Sequence, residues 1–100
     1  MVTQTLHITD GLLIHAEGRK LRVRLTDDHA TLTFKGRRDG LAREEVELPL
    51  LRDQARGLLD HHCDGRILSK TRHLVSWDGL IWEIDIYDSP LNGVHLAEVE

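Results

Sequence analysis

The chain has 100 residues, a formal net charge of −4 and one cysteine, Cys63. This length predicts one domain with a single core. The negative charge excludes a general attraction to nucleic acid, and one cysteine excludes an internal disulfide. No apolar run is long enough to span a bilayer, and the first ten residues do not have the pattern of a signal peptide. A cytoplasmic protein with no membrane or nucleic-acid partner is therefore expected.

Turn signals divide the chain into short segments. Alternating or β-branched runs predict strands over residues 8–15, 20–26, 30–35, 42–48, 66–75, 80–87 and 94–100. Pro49 is expected to end the fourth strand because it lacks the amide donor of a ladder. Asp78 and Gly79 fit a tight hairpin turn. Residues 51–62 instead have the helical period. The predicted class is α+β, mainly antiparallel β, with one clear helix at about residues 51–62.

Like charges recur at every second position in five of these strands. The pairs are Arg22 with Arg24, Glu45 with Glu47, Lys70 with Arg72, Glu83 with Asp85, and Glu98 with Glu100. Because residues i and i+2 of a strand point to the same face, each pair lies on one face. Apolar side chains alternate with the charges, so the sheet is expected to curl with its apolar face against the helix. The charged face can then hold a polyanion and its metal ions.

A simpler interpretation is that each charged pair is only solvated. Glu47 and Lys70 could then form a cross-strand pair that contributes a few tenths of a kcal/mol. Like charges two residues apart repel each other, however, and no packing benefit explains five such pairs. Taken together, the pairs favour a functional face.

Six segments in order resemble the CYTH domain, also called the triphosphate tunnel metalloenzymes. They are residues 21–24 (LRVR), 32–36 (LTFKG), 43–47 (REEVE), 70–72 (KTR), 82–86 (WEIDI) and 96–100 (LAEVE). The resemblance runs from about residue 8 to residue 100. The family includes inorganic triphosphatases, thiamine triphosphatases and a class of adenylate cyclases. Its fold is an eight-stranded antiparallel barrel that forms a tunnel for triphosphate.

The resemblance implies three groups of site residues and leaves the catalytic residue unassigned. The residues that would contact phosphate are Arg22, Arg24, Lys35, Lys70 and Arg72. The residues that match positions near the metal are Asp85, Glu98 and Glu100. The acidic groups that would line the tunnel, as metal ligands or as orienters of the basic side chains, are Glu45, Glu47 and Glu83. The implied cofactor is Mg²⁺ or Mn²⁺, since both prefer oxygen ligands.

The chain departs from the family at both ends. The family's first strand carries Glu-x-Glu-x-Lys, whereas this chain begins MVTQ. It stops at Glu100, where relatives usually continue into helical sequence. We therefore expect a single CYTH-like domain over residues 1–100, truncated at both ends, with an incomplete barrel of about seven strands. Either the gene product is truncated, or a homodimer partner or second chain completes the barrel, or activity is lost.

The expected function is metal-dependent hydrolysis of a triphosphate-containing small molecule, inorganic or organic, by a triphosphatase-type enzyme. Three alternatives remain open at this point. One is a non-catalytic remnant that binds polyphosphate or nucleotide, and another is an adenylate cyclase-like activity. The third is a plain interaction domain whose charged face is only solvated.

Overall fold

The computed structural model describes residues 1–40, 42–88 and 95–99. Within these residues the chain forms seven strands and one helix. They are β1 (Val2–Ala16), β2 (Arg19–Leu25), β3 (Ala30–Lys35), β4 (Glu45–Leu50), α1 (Arg52–His62), β5 (Ile67–Trp77), β6 (Leu80–Tyr87) and β7 (His95–Val99). The strands form one sheet in the order β4-β3-β2-β1-β5-β6-β7, which is not closed over the described residues. The predicted class, mainly antiparallel β with about seven strands and one helix, is confirmed.

Two compact units divide the chain. The helical unit comprises Thr9–Ile67, and the terminal unit comprises Met1–Ile8 together with Leu68–Glu100. The expected single domain over residues 1–100 stays a prediction. Over the described residues, no helix is both long and apolar enough to cross a membrane.

The first strand is longer than predicted, since β1 begins at Val2 rather than at residue 8. Within the terminal unit, Met1 exchanges backbone hydrogen bonds with Ser76, at 2.9 and 3.1 Å. The Thr3 hydroxyl donates to the Leu74 carbonyl at 3.1 Å. Residues 2–5 are exposed on both faces. They therefore lack the apolar alternation by which a half-buried strand is recognised.

The fourth strand is also displaced from its predicted position. Ala42 forms only an isolated bridge with Asp39, and β4 starts at Glu45. Pro49 does not end the strand, because it pairs with Thr31 of β3 and the strand continues to Leu50. Over the described residues, β4 lies at an end of the strand order. An edge strand tolerates proline because one of its sides makes no ladder bonds.

The predicted hairpin at Asp78 and Gly79 is confirmed. Both residues have positive φ, 54° and 72°, and the flanking residues Trp77 and Leu80 are paired. A two-residue turn with two positive φ values matches the twist of its strands, and Asp-Gly is a preferred sequence for it.

Helix α1 covers the apolar face of β2 and β3, as the alternation predicts. Val23 and Leu25 alternate with the arginines of β2 and pack with Ala55, Leu59 and Cys63 of the helix region. The helix begins at Arg52. The amide of Leu51, the residue before it, donates to Gln54 Oε1 at 3.0 Å. This packing leaves the other face of β2 and β3, with its charges, turned away from the helix.

Gly11 of β1 allows the helix to approach the sheet closely. A β-carbon at position 11 would lie 2.5 Å from Cys63 Sγ and 2.7 Å from Leu59 Cδ2. Both atoms belong to buried side chains. The sequence alone did not indicate this contact, because glycine in a strand has several explanations.

Gly11→Ala is therefore expected to lower the free energy of unfolding by about 1–3 kcal/mol, since an overpacked core must shift to accommodate a methyl group. Gly57→Ala is the matched control, because a β-carbon at this helical position meets nothing within 4 Å. It should stabilise the protein by about 0.5–1 kcal/mol. Urea unfolding of both variants measures the effect. A Gly11→Ala variant as stable as the wild type would contradict the close packing at Gly11.

Candidate functional site

The helical unit contains a charged cleft of about 250 Å³ on the face opposite α1. Strand pairing builds this face in rows: Arg22 of β2 is opposite Thr33 of β3, which is opposite Glu47 of β4. The cleft is lined by Arg22, Val23, Arg24, Thr31, Thr33, Lys35, Glu45 and Glu47. Five of the residues selected from the sequence therefore line one cleft. The two threonines were missed, although they alternate with apolar residues in the same way.

Arg24 is held by an acid that the sequence analysis did not select. Its Nε and Nη2 donate to Asp10 Oδ1 and Oδ2 at 2.7 and 2.9 Å, a bidentate ion pair. Strand β1 provides this contact because Asp10 is directly opposite Arg24 in the register. The side chains are 31% and 20% exposed, so the pair is partly withdrawn from water.

Arg22 has a different environment from Arg24. Its register partner on β1 is Leu12, whose side chain has no hydrogen-bonding group. The Nε atom of Arg22 is buried and has no hydrogen-bond partner within the described part of the chain. A buried guanidinium nitrogen without an acceptor is costly unless a ligand satisfies it. Lys35 Nζ lies 3.6 Å from Glu45 Oε1, a longer ion pair than that of Arg24 with Asp10, and both residues line the cleft.

The terminal unit contains a second charged cluster, on β5 and β6. Arg72 is opposite Asp85 in the register, and its Nε and Nη2 donate to the two Asp85 oxygens at 2.8 and 3.0 Å. Lys70 Nζ lies 3.0 Å from Asp85 Oδ2, and Arg72 Nη1 lies 3.2 Å from Glu83 Oε1. Lys70 and Asp85 are 9% and 7% exposed. The cluster therefore consists of two cations organised around one buried carboxylate.

The ion pairs of this cluster fix its charge states. Hydrogen bonding to Arg72, assisted by Lys70, lowers the pKa of Asp85 although burial opposes the shift. The hydrogen bond to Asp85 likewise raises the pKa of Arg72. Asp85 is thus ionised at neutral pH, and it holds Lys70 and Arg72 in fixed positions.

Tyr87 is a further residue of this cluster that the sequence analysis missed. Its ring centroid lies 5.3 Å from Lys70 Nζ. A cation over an aromatic face is attracted by the ring quadrupole. Tyr87 is also the register partner of Lys70, so a hairpin register counted outward from Asp78 and Gly79 would have placed the two residues together.

The structure bears on two expectations from the sequence, the pairing of Glu47 with Lys70 and the role of Glu100 as a metal ligand. Lys70 pairs with Asp85 and not with Glu47, whose register partner is Thr33. The register partner of Lys70 is Tyr87, so the simple cross-strand pair of Glu47 with Lys70 is wrong. Glu100, one of the three expected metal ligands, lies outside the described residues.

The acidic side chains of the terminal unit differ in how far they are available to a divalent ion. Over the described residues, no group of three or more potential ligands is positioned to hold a metal. Asp85 is held by two cations, whereas Glu98 is exposed and directly opposite Glu83. Mg²⁺ usually binds through one or two carboxylates together with substrate phosphates and water. The side chains present therefore fit an ion that is bound jointly with a polyphosphate, rather than one enclosed by protein alone.

Comparison with known proteins gives the same class of fold. No family model matches the chain. The chain is 29% identical over 90 residues to an inorganic triphosphatase from Acetivibrio thermocellus, a match that covers 90% of this chain and 58% of that protein. The crystal structure of the inorganic triphosphatase NE1496 superposes with a TM-score of 0.79 and 26% identity, over 97% of this chain and 64% of that one.

A conserved hypothetical protein from Pyrococcus furiosus has a TM-score of 0.63 at 17% identity, over 98% of this chain and 63% of that chain. The chain thus spans roughly three-fifths of the length of the proteins it matches. These likenesses agree with the CYTH-like fold expected from the sequence. Two of these proteins, the relative from Acetivibrio thermocellus and NE1496, are named as enzymes, and both are inorganic triphosphatases.

Proposed function

We propose that this chain is a member of the CYTH family and takes part in the hydrolysis of inorganic triphosphate or of a small molecule that carries a triphosphate. The observation that carries the proposal is the cleft of the helical unit, in which Arg22 Nε is buried and has no acceptor among the residues that the structure describes. A phosphate oxygen would satisfy that nitrogen. The 29% identity with an inorganic triphosphatase supports the choice of substrate class.

The proposed roles of the basic residues follow from their positions. Arg22 and Lys35 bind phosphate oxygens in the cleft, with the hydroxyls of Thr31 and Thr33 as additional donors. Guanidinium groups suit this task because their N–H donors match the oxygens of a phosphate. Arg24 lies in the same cleft. Fixed donors of this kind lower the barrier to phosphoryl transfer by positioning the substrate and stabilising its charge.

In the terminal unit, we assign Lys70 and Arg72 to phosphate binding and Asp85 to orienting them. The buried carboxylate holds both cations before any ligand arrives, so little side-chain entropy is lost on binding. The role proposed here for Asp85 differs from the position near the metal that the family resemblance implies. Its oxygens already accept hydrogen bonds from Arg72.

We propose Mg²⁺ or Mn²⁺ as the cofactor, held by Glu83 and Glu98 in the terminal unit, with Glu100 as a further candidate. Glu45 and Glu47 are the acidic residues of the cleft in the helical unit. When bound, such an ion neutralises phosphate charge and lowers the pKa of a coordinated water. The protein's own contribution is to hold the phosphates and keep the basic side chains in place.

We also propose that a second copy or another chain completes the sheet, and that the protein acts in the cytoplasm. Strand β4 has β3 on one side only, over the described residues, and an unpaired edge is a site for strand addition. The one cysteine, Cys63, is a free thiol, which fits a reducing compartment. Light scattering of the purified protein tests the assembly, since a monomer would contradict completion by a second copy.

Phosphate release tests the proposed function. We expect inorganic phosphate from tripolyphosphate, ATP or thiamine triphosphate in the presence of Mg²⁺ or Mn²⁺, and less after chelation of the metal. Cyclic AMP as the main product from ATP would contradict hydrolysis. No turnover of any substrate with either metal, from protein that is folded by circular dichroism, would exclude a hydrolase.

A further inference from the structure

Arg22 and Arg24 of β2 are neighbours on one face of the sheet, but β1 places different side chains opposite them. It places the carboxylate of Asp10 opposite Arg24 and the apolar side chain of Leu12 opposite Arg22. Arg24 therefore has an anion within the protein, whereas Arg22 Nε is buried with no acceptor among the described residues. Both arginines line the same cleft, so this difference bears directly on which of them is available to a ligand.

The Asp10 carboxylate binds Arg24 in the way that a phosphate would. Its two oxygens accept from Nε and Nη2 at 2.7 and 2.9 Å, and this parallel pair of N–H groups is the edge that binds phosphate bidentately. The pair is only 20–31% exposed, so water screens it less than it would a surface pair. A phosphate can use this edge of Arg24 only after displacing Asp10.

We propose that Asp10 sets the affinity of the cleft for polyphosphate by occupying the guanidinium edge of Arg24. This inference rests on the proposed function, since it concerns the same cleft and the same class of ligand. Asp10 acts as an internal competitor: it weakens polyphosphate binding and directs the anion to Arg22 and Lys35. Its negative charge also lies beside Arg24, which lines the cleft, and repels a polyanion bound there.

Asp10→Asn tests the proposal. Asparagine has nearly the same size and keeps one acceptor for Arg24, but it removes the charge and one of the two accepting oxygens. We expect the dissociation constant of tripolyphosphate, measured by calorimetry, to fall about tenfold, which corresponds to about 1.4 kcal/mol. Asp60→Asn is the matched control: it removes the same charge from an exposed position on α1 and should leave the dissociation constant unchanged within about twofold.

A double-mutant cycle connects the effect to Arg24. Arg24→Leu removes one positive charge from the cleft in either background, so it should weaken binding in both. The loss should be at least about threefold larger in the Asp10→Asn background, because only there is the Nε–Nη2 edge of Arg24 available to the phosphate. If Asp10 served only the structure, Asp10→Asn would lower the melting temperature and leave the affinity unchanged. Asp10→Ser serves as a second variant if Asp10→Asn does not fold, with the same expected direction.

The outcomes separate this inference from the proposed function. Tighter binding by Asp10→Asn that depends on Arg24 supports it, and so does binding by the variant where the wild type binds nothing. Binding by the wild type that is unchanged or weaker in folded Asp10→Asn overturns the inference alone. Absence of tripolyphosphate binding by both proteins overturns the proposed function and the inference with it.

Discussion

Replacing Asp85 by alanine is expected to lower the free energy of unfolding by about 3 kcal/mol at pH 7, because it leaves a buried cation without its anion. Lys70 is 9% exposed, and the Arg72 side chain is 22% exposed. Arg72 keeps Glu83 as a partner at 3.2 Å, so the loss falls mainly on Lys70. Asp60→Ala, at an exposed position on α1, is the control and should change the stability by less than about 0.5 kcal/mol.

The same carboxylate predicts how the stability depends on pH. The pKa of Asp85 is lowered in the folded protein, chiefly by the hydrogen bond from Arg72. The unfolded state therefore binds the proton more readily, and the ionised group stabilises the fold at pH values above its unfolded pKa of 3.8. That contribution is lost as the pH falls through the lower folded pKa. Urea unfolding between pH 7 and pH 2 should show the wild type and Asp85→Ala converging in acid. A difference that stays constant over this range would contradict the assignment.

Arg22→Leu is expected to weaken the binding of tripolyphosphate by at least about a hundredfold. The buried Nε has no acceptor within the described residues, so the charge-assisted hydrogen bonds of this side chain are available to the ligand, and each contributes about 1.5–3 kcal/mol. The fold should be unaffected or slightly more stable, because a buried unsatisfied donor is removed.

Arg56→Leu is the matched control for this prediction, since Arg56 is an exposed arginine on α1. It makes the same change in charge and should alter the affinity by less than about threefold. Calorimetric titration at constant ionic strength measures both variants. Equal affinities of Arg22→Leu and wild type would remove Arg22 from the site.

The two-residue period of the strands was sufficient to predict which charges share a face. It placed Arg22 with Arg24 and Lys70 with Arg72, and in the structure the two members of each pair lie two register positions apart on one strand. The period does not reveal which residue lies opposite. For Arg72 that information was present in the sequence, because counting outward from the two-residue turn at Asp78 and Gly79 reaches Asp85.

The partner of Arg24 could not be obtained in this way. Counting outward from the turn at Glu17 and Gly18 pairs Arg24 with Gly11, one residue away from Asp10. The register shifts between Leu12 and Ile14 of β1, and a bulge of one residue exchanges the faces of everything beyond it. No residue in this segment indicates the bulge from the sequence, so the contact between Asp10 and Arg24 is known only from the structure.

The limits of strand β4 were missed for a related reason. Proline was expected to interrupt a ladder, which holds for a strand with neighbours on both sides. Whether a strand is central or at an edge depends on the order of strands in the sheet, and that order is set by long-range pairing. Pro49 is accommodated because its strand has only β3 beside it over the described residues.

The most direct test of the charged cleft as a triphosphate site is a titration of the folded protein with tripolyphosphate, with and without Mg²⁺, followed by calorimetry and by thermal unfolding. We predict saturable binding and a melting temperature that rises with ligand concentration, because a ligand that binds only the folded state must stabilise it. An unchanged melting temperature and no heat of binding at millimolar tripolyphosphate, with Mg²⁺ present, would contradict the account.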